Sequence, residues 1–241
     1  MLHAPRIPEL GQRDRFVRRA VKEGRVLTLA DEETASVPSQ KYPGRTVQLF
    51  WSSPVEAKRW AEALAGDPRL QDISLTTFAA DILPGLRAAK GLAGVDWVAD
   101  PIEAETDPAD MQLRLKTEAL TGFMKAAAGR GEVYLVAGDD GPLLQKMARR
   151  GVDQQMLHVF ANRPEAERFM KKAGARKIIT DPFADFGAST LPWASGRGYT
   201  IVVEPIAGAG VLEVPAGTFG LRLAAATAVE AGSRRDVALS F

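Results

Sequence analysis

Phe16–Asp31, FVRRAVKEGRVLTLAD, and Phe123–Gly138, FMKAAAGRGEVYLVAG, lie 107 positions apart and are identical at Phe16, Ala20, Gly24, Val26 and Ala30 of the first copy. At average composition, a window this short gives roughly one identity by chance. The chemistry inside the window is as telling as the matches. Phe16, Val17, Ala20 and Val21 make one apolar stripe of a helix over 12–23, and Gly24 stops it. Arg25–Ala30 then reads as a strand.

Working outward, the likeness continues in the same order along the chain. FWSSPVEAKRW (50–60) faces FANRPEAERF (160–169). Phe78 faces Phe183, Leu83-Pro84 faces Leu191-Pro192, Asp100-Pro101-Ile102 faces Glu204-Pro205-Ile206, and Leu-Arg-Leu occurs at 113–115 and 221–223. The offset drifts between 104 and 109, as small loop insertions produce. The chain therefore reads as two tandem homologous modules, 1–116 and 117–241.

Each copy checks the other. Leu143–Ala148 alone could be a short helix, but its counterpart Ser36-Val37-Pro38 resists helix because proline lacks the N–H and clashes with the preceding turn. A strand satisfies both, with turns at Tyr42-Pro43-Gly44-Arg45 and Arg149-Arg150-Gly151. Thr46–Trp51 and Gln155–Phe160 follow as strands. Ser53 then caps a helix with Pro54 in its first turn and Glu56 reaching back. Asn162 and Glu165 repeat this capping-box spacing in the second copy. A short strand near Ile73 and Ile178-Ile179 comes next. A helix with Phe78, Ile82 and Leu86 follows, and then a strand at Gly94–Val98 and Tyr199–Val203. A last helix starts at Asp107 and runs into the second copy. The module order is βββαβαβ, so the fold class is α/β in the wide sense (α+β): a mixed sheet with helices packed on it.

Composition narrows the function. The 241 residues carry 46% hydrophobic and 25% charged residues and a formal net charge of +1, which fits a globular chain and gives no global field for nucleic acid. The absence of cysteine excludes disulfides, thiolate metal sites and a cysteine nucleophile. No stretch has signal-peptide or membrane-span character, so the expectation is a cytoplasmic protein without membrane or nucleic-acid partners.

Four segments, RFVRRAVKEGRVLTLADEE, FWSSPVEAKRW, ISLTTFAADILPGL and GVDWVADPIEAE, together resemble a bacterial family of unknown function, domain 2750, over residues 14 to about 115. The strand-to-helix segment at 50–57 also looks like SseB-like (enhanced serine sensitivity) proteins, which place an Asn-Pro near the position of Asp100-Pro101. The second copy departs further, with Phe160 or Ala161 in place of Trp51 and no clear match for Asp96-Trp97. The resemblance implies a fold and brings no reaction with it.

The polar candidates are few. His3 and His158 stand too far apart in sequence to suggest a metal site, and His158 reads as a strand residue. Gly208-Ala209-Gly210 is too short for a phosphate-binding fingerprint, and Ser189 and Ser195 occupy no nucleophile elbow. Arg6, Arg13, Arg15, Arg18, Arg19, Lys22 and Arg25 make the first 25 residues basic, without a nucleic-acid motif, and read as a solvated helix face. Asp96, Asp100 and Glu103 cluster at a strand end, where α/β folds place sites and where a carboxylate can move a proton or hold a cation. Their bland alternative is a solvated loop. Trp51, Ser52 and Ser53 stand where a strand meets a helix N-terminus, which offers N–H groups to an anion beside an aromatic surface; the plainer account is a capped helix and a core tryptophan.

These observations predict no catalytic residues, no metal and no cofactor. They favour a non-enzymatic protein-binding or regulatory chain with a protein partner. The alternative is an enzyme or small-ligand binder using Trp51, Ser52, Ser53, Asp96, Trp97 and Asp100.

Overall fold

A computed structural model describes residues 7–31, 34–63, 68–97, 105–149, 152–203, 212–221 and 223. The chain divides into two compact units, one built mainly on Met1–Ala119 and the other mainly on the chain from Leu120. The fold is α+β, with helices packed on mixed sheets.

In the first unit, α1 (Ile7–Glu23) leads into β1 (Arg25–Ala30), β2 (Ser36–Pro38) and β3 (Thr46–Phe50). Helix α2 (Pro54–Ala63) and β4 (Arg69–Ser74) follow. Then α3 (Leu75–Thr77) passes through a π-helical turn, Phe78–Ile82, into α4 (Leu83–Ala88), and β5 (Leu92–Val95) and β6 (Glu105–Thr106) close the sheet. β3 and β5 run parallel, β5–β6 and β2–β3 antiparallel, and β4 pairs antiparallel with β1. β1 joins β3 through a single bridge, in which Leu27 and Trp51 exchange both backbone bonds at 2.8 Å. The strand order across that bridge is therefore β4-β1-β3-β5-β6.

The second unit starts within α5 (Pro108–Arg130), whose first turn is capped by the Asp107 carboxylate on the Ala109 N–H at 2.8 Å. Then come β7 (Glu132–Ala137), β8 (Leu144–Arg149), β9 (Val152–Phe160), α6 (Arg163–Ala173) and β10 (Lys177–Pro182). A helix made of α7 (Phe183–Asp185), a π-turn (Phe186–Thr190) and α8 (Leu191–Gly196) leads to β11 (Thr200–Val203) and β12 (Leu212–Pro215). Its order is β10-β7-β9-β11-β12, with β8 on β9 and only β9–β11 parallel.

The central strands are buried on both faces, as strands covered by helices must be. On one face of the first sheet, Leu27, Leu49 and Trp51 pack with Ala57 of α2. Phe50 points the other way, its ring 4.7 Å from that of Phe78, which in turn meets Phe16 of α1 at 6.1 Å. The second unit repeats the plan with Phe160 and Ala166 under α6, and with Phe186 and Phe123 against Phe219.

Several details differ from the sequence reading. α1 begins at Ile7 rather than 12, because Pro8 fits a first helical turn. The strand expected at Gly94–Val98 ends at Val95, since Asp96 turns left-handed with φ +50°. Phe78 and Phe186 both open a five-residue π-turn, so Phe186, not Phe183, stands where Phe78 does. The capping box at Asn162 does not form. Asn162 flanks α6 but makes no side-chain cap bond, and Pro164 at the second position has no N–H to receive one.

Candidate functional site

The parallel pairing of β3 and β5 sets Phe50 opposite Val95, which brings the carboxyl ends of both strands together. The residues that leave those ends are Trp51-Ser52-Ser53 and Asp96-Trp97, so five of the sequence candidates meet by topology. Asp96 is fully buried, so the solvated-loop reading does not hold for this residue. Its N–H donates to the Phe50 carbonyl at 2.9 Å, and the left-handed turn sends its carboxylate back toward the α2 entry. There Oδ1 accepts from the Ser52 N–H at 2.6 Å and Oδ2 from the Ser52 hydroxyl at 2.8 Å. Gln12 of α1 donates to the Asp96 carbonyl at 2.6 Å. Asp tolerates such a backbone because it is one of the few residues that visit the left-handed region at low cost.

Burial raises the Asp96 pKa above its ordinary value, and the Glu56 charge adds to the rise; the two Ser52 bonds and Arg15 oppose it. Arg15 Nε lies 3.9 Å from Oδ2. Arg19 Nη1 lies 3.8 Å from Glu56 Oε1, so the Glu56 carboxylate serves α1 rather than closing a capping box over Ser53. Ser53 contributes its carbonyl to the Ala57 N–H at 3.2 Å.

Three indoles enclose this corner. Trp51 Nε1 donates to the Trp97 carbonyl at 3.0 Å. The Trp60 ring lies 6.2 Å from Trp51 and 6.0 Å from Trp97. A Cβ on Gly94 would approach Leu49, Val47 and Trp97 atoms at 2.8, 2.8 and 2.9 Å, so glycine is required for this packing. The result is a latch: every hydrogen-bonding atom of Asp96 is engaged inside the protein. Asp100 and Glu103, the other carboxylates of the sequence cluster, lie outside the described residues, as do His3, Arg6 and Gly208-Ala209-Gly210. Among the described residues, no three His, Asp or Glu side chains group as metal ligands do. No helix among them is long and apolar enough to cross a membrane.

The basic face of α1 is only partly solvated. Arg13 is buried and pairs with Asp110 at 3.1 Å, a contact that sequence reading missed because it joins residues 97 positions apart.

At the matching corner of the second unit, His158 is buried, its Nε2 2.9 Å from Gln145 Oε1 and its ring 4.2 Å from that of Phe169. Its Nδ1 has no partner, and burial pulls its pKa down to about 4. Glu165, in the first turn of α6, is also buried, with Oε2 lacking a hydrogen bond. The sequence shows an acid in the first turn of both α2 and α6, but its spacing pointed to capping rather than to a buried carboxylate.

Residues 13–115 match the model of a family described as "Protein of unknown function (DUF2750)". No curated protein matches the chain. Among solved structures, Anabaena Tic22 (protein transport) is similar at 13% identity, covering 80% of this chain and 92% of that one with a TM-score of 0.27. Tic22 from Plasmodium falciparum is similar at 10% identity, with 80% and 93% covered and a TM-score of 0.26.

Proposed function

We propose that the chain is a non-enzymatic binding or regulatory protein of the cytoplasm, made by tandem duplication of one module (1–116 and 117–241) and acting on another protein. The observation that carries this reading is a pair of leucines. Leu113 is 55% and Leu221 76% exposed, although Leu115 and Leu223 in the same Leu-Arg-Leu triplets are buried. One exposed leucine is ordinary on any surface. The same leucine left in water at the matching place of both units fits a retained contact for a partner. The shared strand order of the two units supports the duplication.

The alternative, catalysis or small-ligand binding at Trp51, Ser52, Ser53, Asp96, Trp97 and Asp100, would require Asp96 to give up both bonds from Ser52. The test is affinity capture from native lysate with the full chain and its Leu113→Asp/Leu221→Asp variant. A protein held by the parent and lost from the variant, with unchanged thermal melts, is the expected result. Equal capture by both, or retention of metabolites alone, would sink the reading.

A further inference from the structure

We infer that the amino-terminal end of α6 is a docking site for an arginine side chain of a partner protein. The inference rests on the binding role proposed above and names the chemistry of one contact in it.

Two glutamates at equivalent places in the two units have unequal surroundings. Glu56 and Glu165 each stand in the first turn of the helix that follows the central strand, β3 or β9. Each has a buried Oε2 with no hydrogen-bond partner. In the first unit the charge is answered from within, because Arg19 of α1 lies 3.8 Å from Oε1, with Arg15 one turn earlier beside Asp96. α5 is the counterpart of α1, aligned by Phe16 with Phe123, Ala20 with Ala127 and Gly24 with Gly131. On that alignment Arg15 becomes Gly122 and Arg19 becomes Ala126. The second unit has kept the acid and lost both cations.

Of the arginines near Glu165, Arg130 and Arg163 are engaged elsewhere, and Arg168, three residues on in α6, is exposed. Arg130, at the end of α5, donates to the Ala161 carbonyl at 2.9 Å, which also shows that α5 ends beside the start of α6. Arg163 pairs with Glu167 at 3.1 Å. Glu165 itself is only 8% exposed, and a carboxylate so far out of water normally has a partner. Gly122, which stands where Arg15 does in the first unit, is exposed, and a Cβ there would meet nothing within 4 Å. An ionised carboxylate only accepts, so the missing partner is a donor. A lone carboxylate is a poor cage for a divalent cation, which needs several oxygens. A guanidinium fits better: it is always charged and forks onto carboxylates, and in the first unit the Arg19 guanidinium lies 3.8 Å from Glu56 Oε1.

A labelled peptide with the sequence of α1, IPELGQRDRFVRRAVKE, presents the arginines that serve the first unit and is the probe for fluorescence anisotropy with the full chain. It should bind saturably. Replacing its Arg15 and Arg19 equivalents by Gln should weaken binding at least about tenfold, as should Glu165→Gln in the protein. Ala126→Arg should do the same by supplying the cation internally, and it covers the case in which Glu165→Gln folds poorly. The proposal is overturned by the absence of binding, by indifference to the peptide arginines, or by sensitivity to Glu56→Gln instead of Glu165→Gln. Capture that depends on the two leucines while this peptide fails would remove the arginine site and leave the binding role standing.

Discussion

Asp96 is fully buried at the carboxyl end of β5, with both carboxylate oxygens on Ser52. In sequence it is an acid at a strand end beside a tryptophan, which is how a catalytic carboxylate looks. In the fold it is a tie between two parallel strand ends, made possible by a left-handed backbone and by Ser52. Neither feature has a local signature, because the Ser52 bond spans 44 residues. The test is to separate charge from hydrogen bonding. Asp96→Asn keeps an acceptor for the Ser52 N–H and tolerates the left-handed turn, so its denaturant melt at neutral pH should resemble the parent's. Asp96→Ala leaves the Ser52 N–H and hydroxyl buried and unpaired and should cost about 1–3 kcal/mol. Equal losses in both variants would mean that the negative charge near Arg15, not the bonds, holds the latch.

At the scale of elements, the order βββαβαβ was legible because the helix and strand signals of residues 14–115 could be checked against those of 123–223. Pro38 ruled out a helix that Leu143–Ala148 alone would have allowed. The parallel pairing of β3 with β5, and hence the meeting of Trp51, Ser52, Asp96 and Trp97, follows from a crossover through α2, β4 and α4 that short motifs do not encode. The π-turns were invisible, since one inserted residue in a helix leaves the apolar stripe almost unchanged. β6, two residues long, has too little pattern to read. β5 also packs closely against β3 over Gly94. Gly94→Ala puts a methyl within 3 Å of Leu49, Val47 and Trp97 atoms in a corner closed by indoles. Overpacking of this kind costs about 1–3 kcal/mol, to be read as a lowered midpoint in denaturant. An unchanged midpoint would show that the β3–β5 contact is looser than these distances require.

At the scale of the whole molecule, two units with one strand order carry opposite responses to acid. In the second unit His158 stays neutral down to about pH 4, while in an unfolded chain it protonates near 6.5. The unfolded state then binds the extra proton between those values, so stability is lost as pH falls through that window. The loss is about 2 kcal/mol at pH 5 and about 3 kcal/mol once pH is below 4. In the first unit the Asp96 pKa is raised, so there the folded state holds the extra proton. Its contribution is fully present below the unfolded value of 3.8 and is lost as pH rises through the folded one. Acidification from neutral therefore strengthens the first unit at Asp96 and weakens the second at His158. Hydrogen exchange at pH 7 and pH 5, corrected for intrinsic rates, should show protection falling for β7 and β9 amides and holding or rising for those of β1 and β3. His158→Leu, which installs the residue found at Leu49 of β3, should abolish the loss in the second unit and leave the first untouched. Parallel loss of protection in both units, or a loss that survives His158→Leu, would show that the acid response does not reside in these two buried groups.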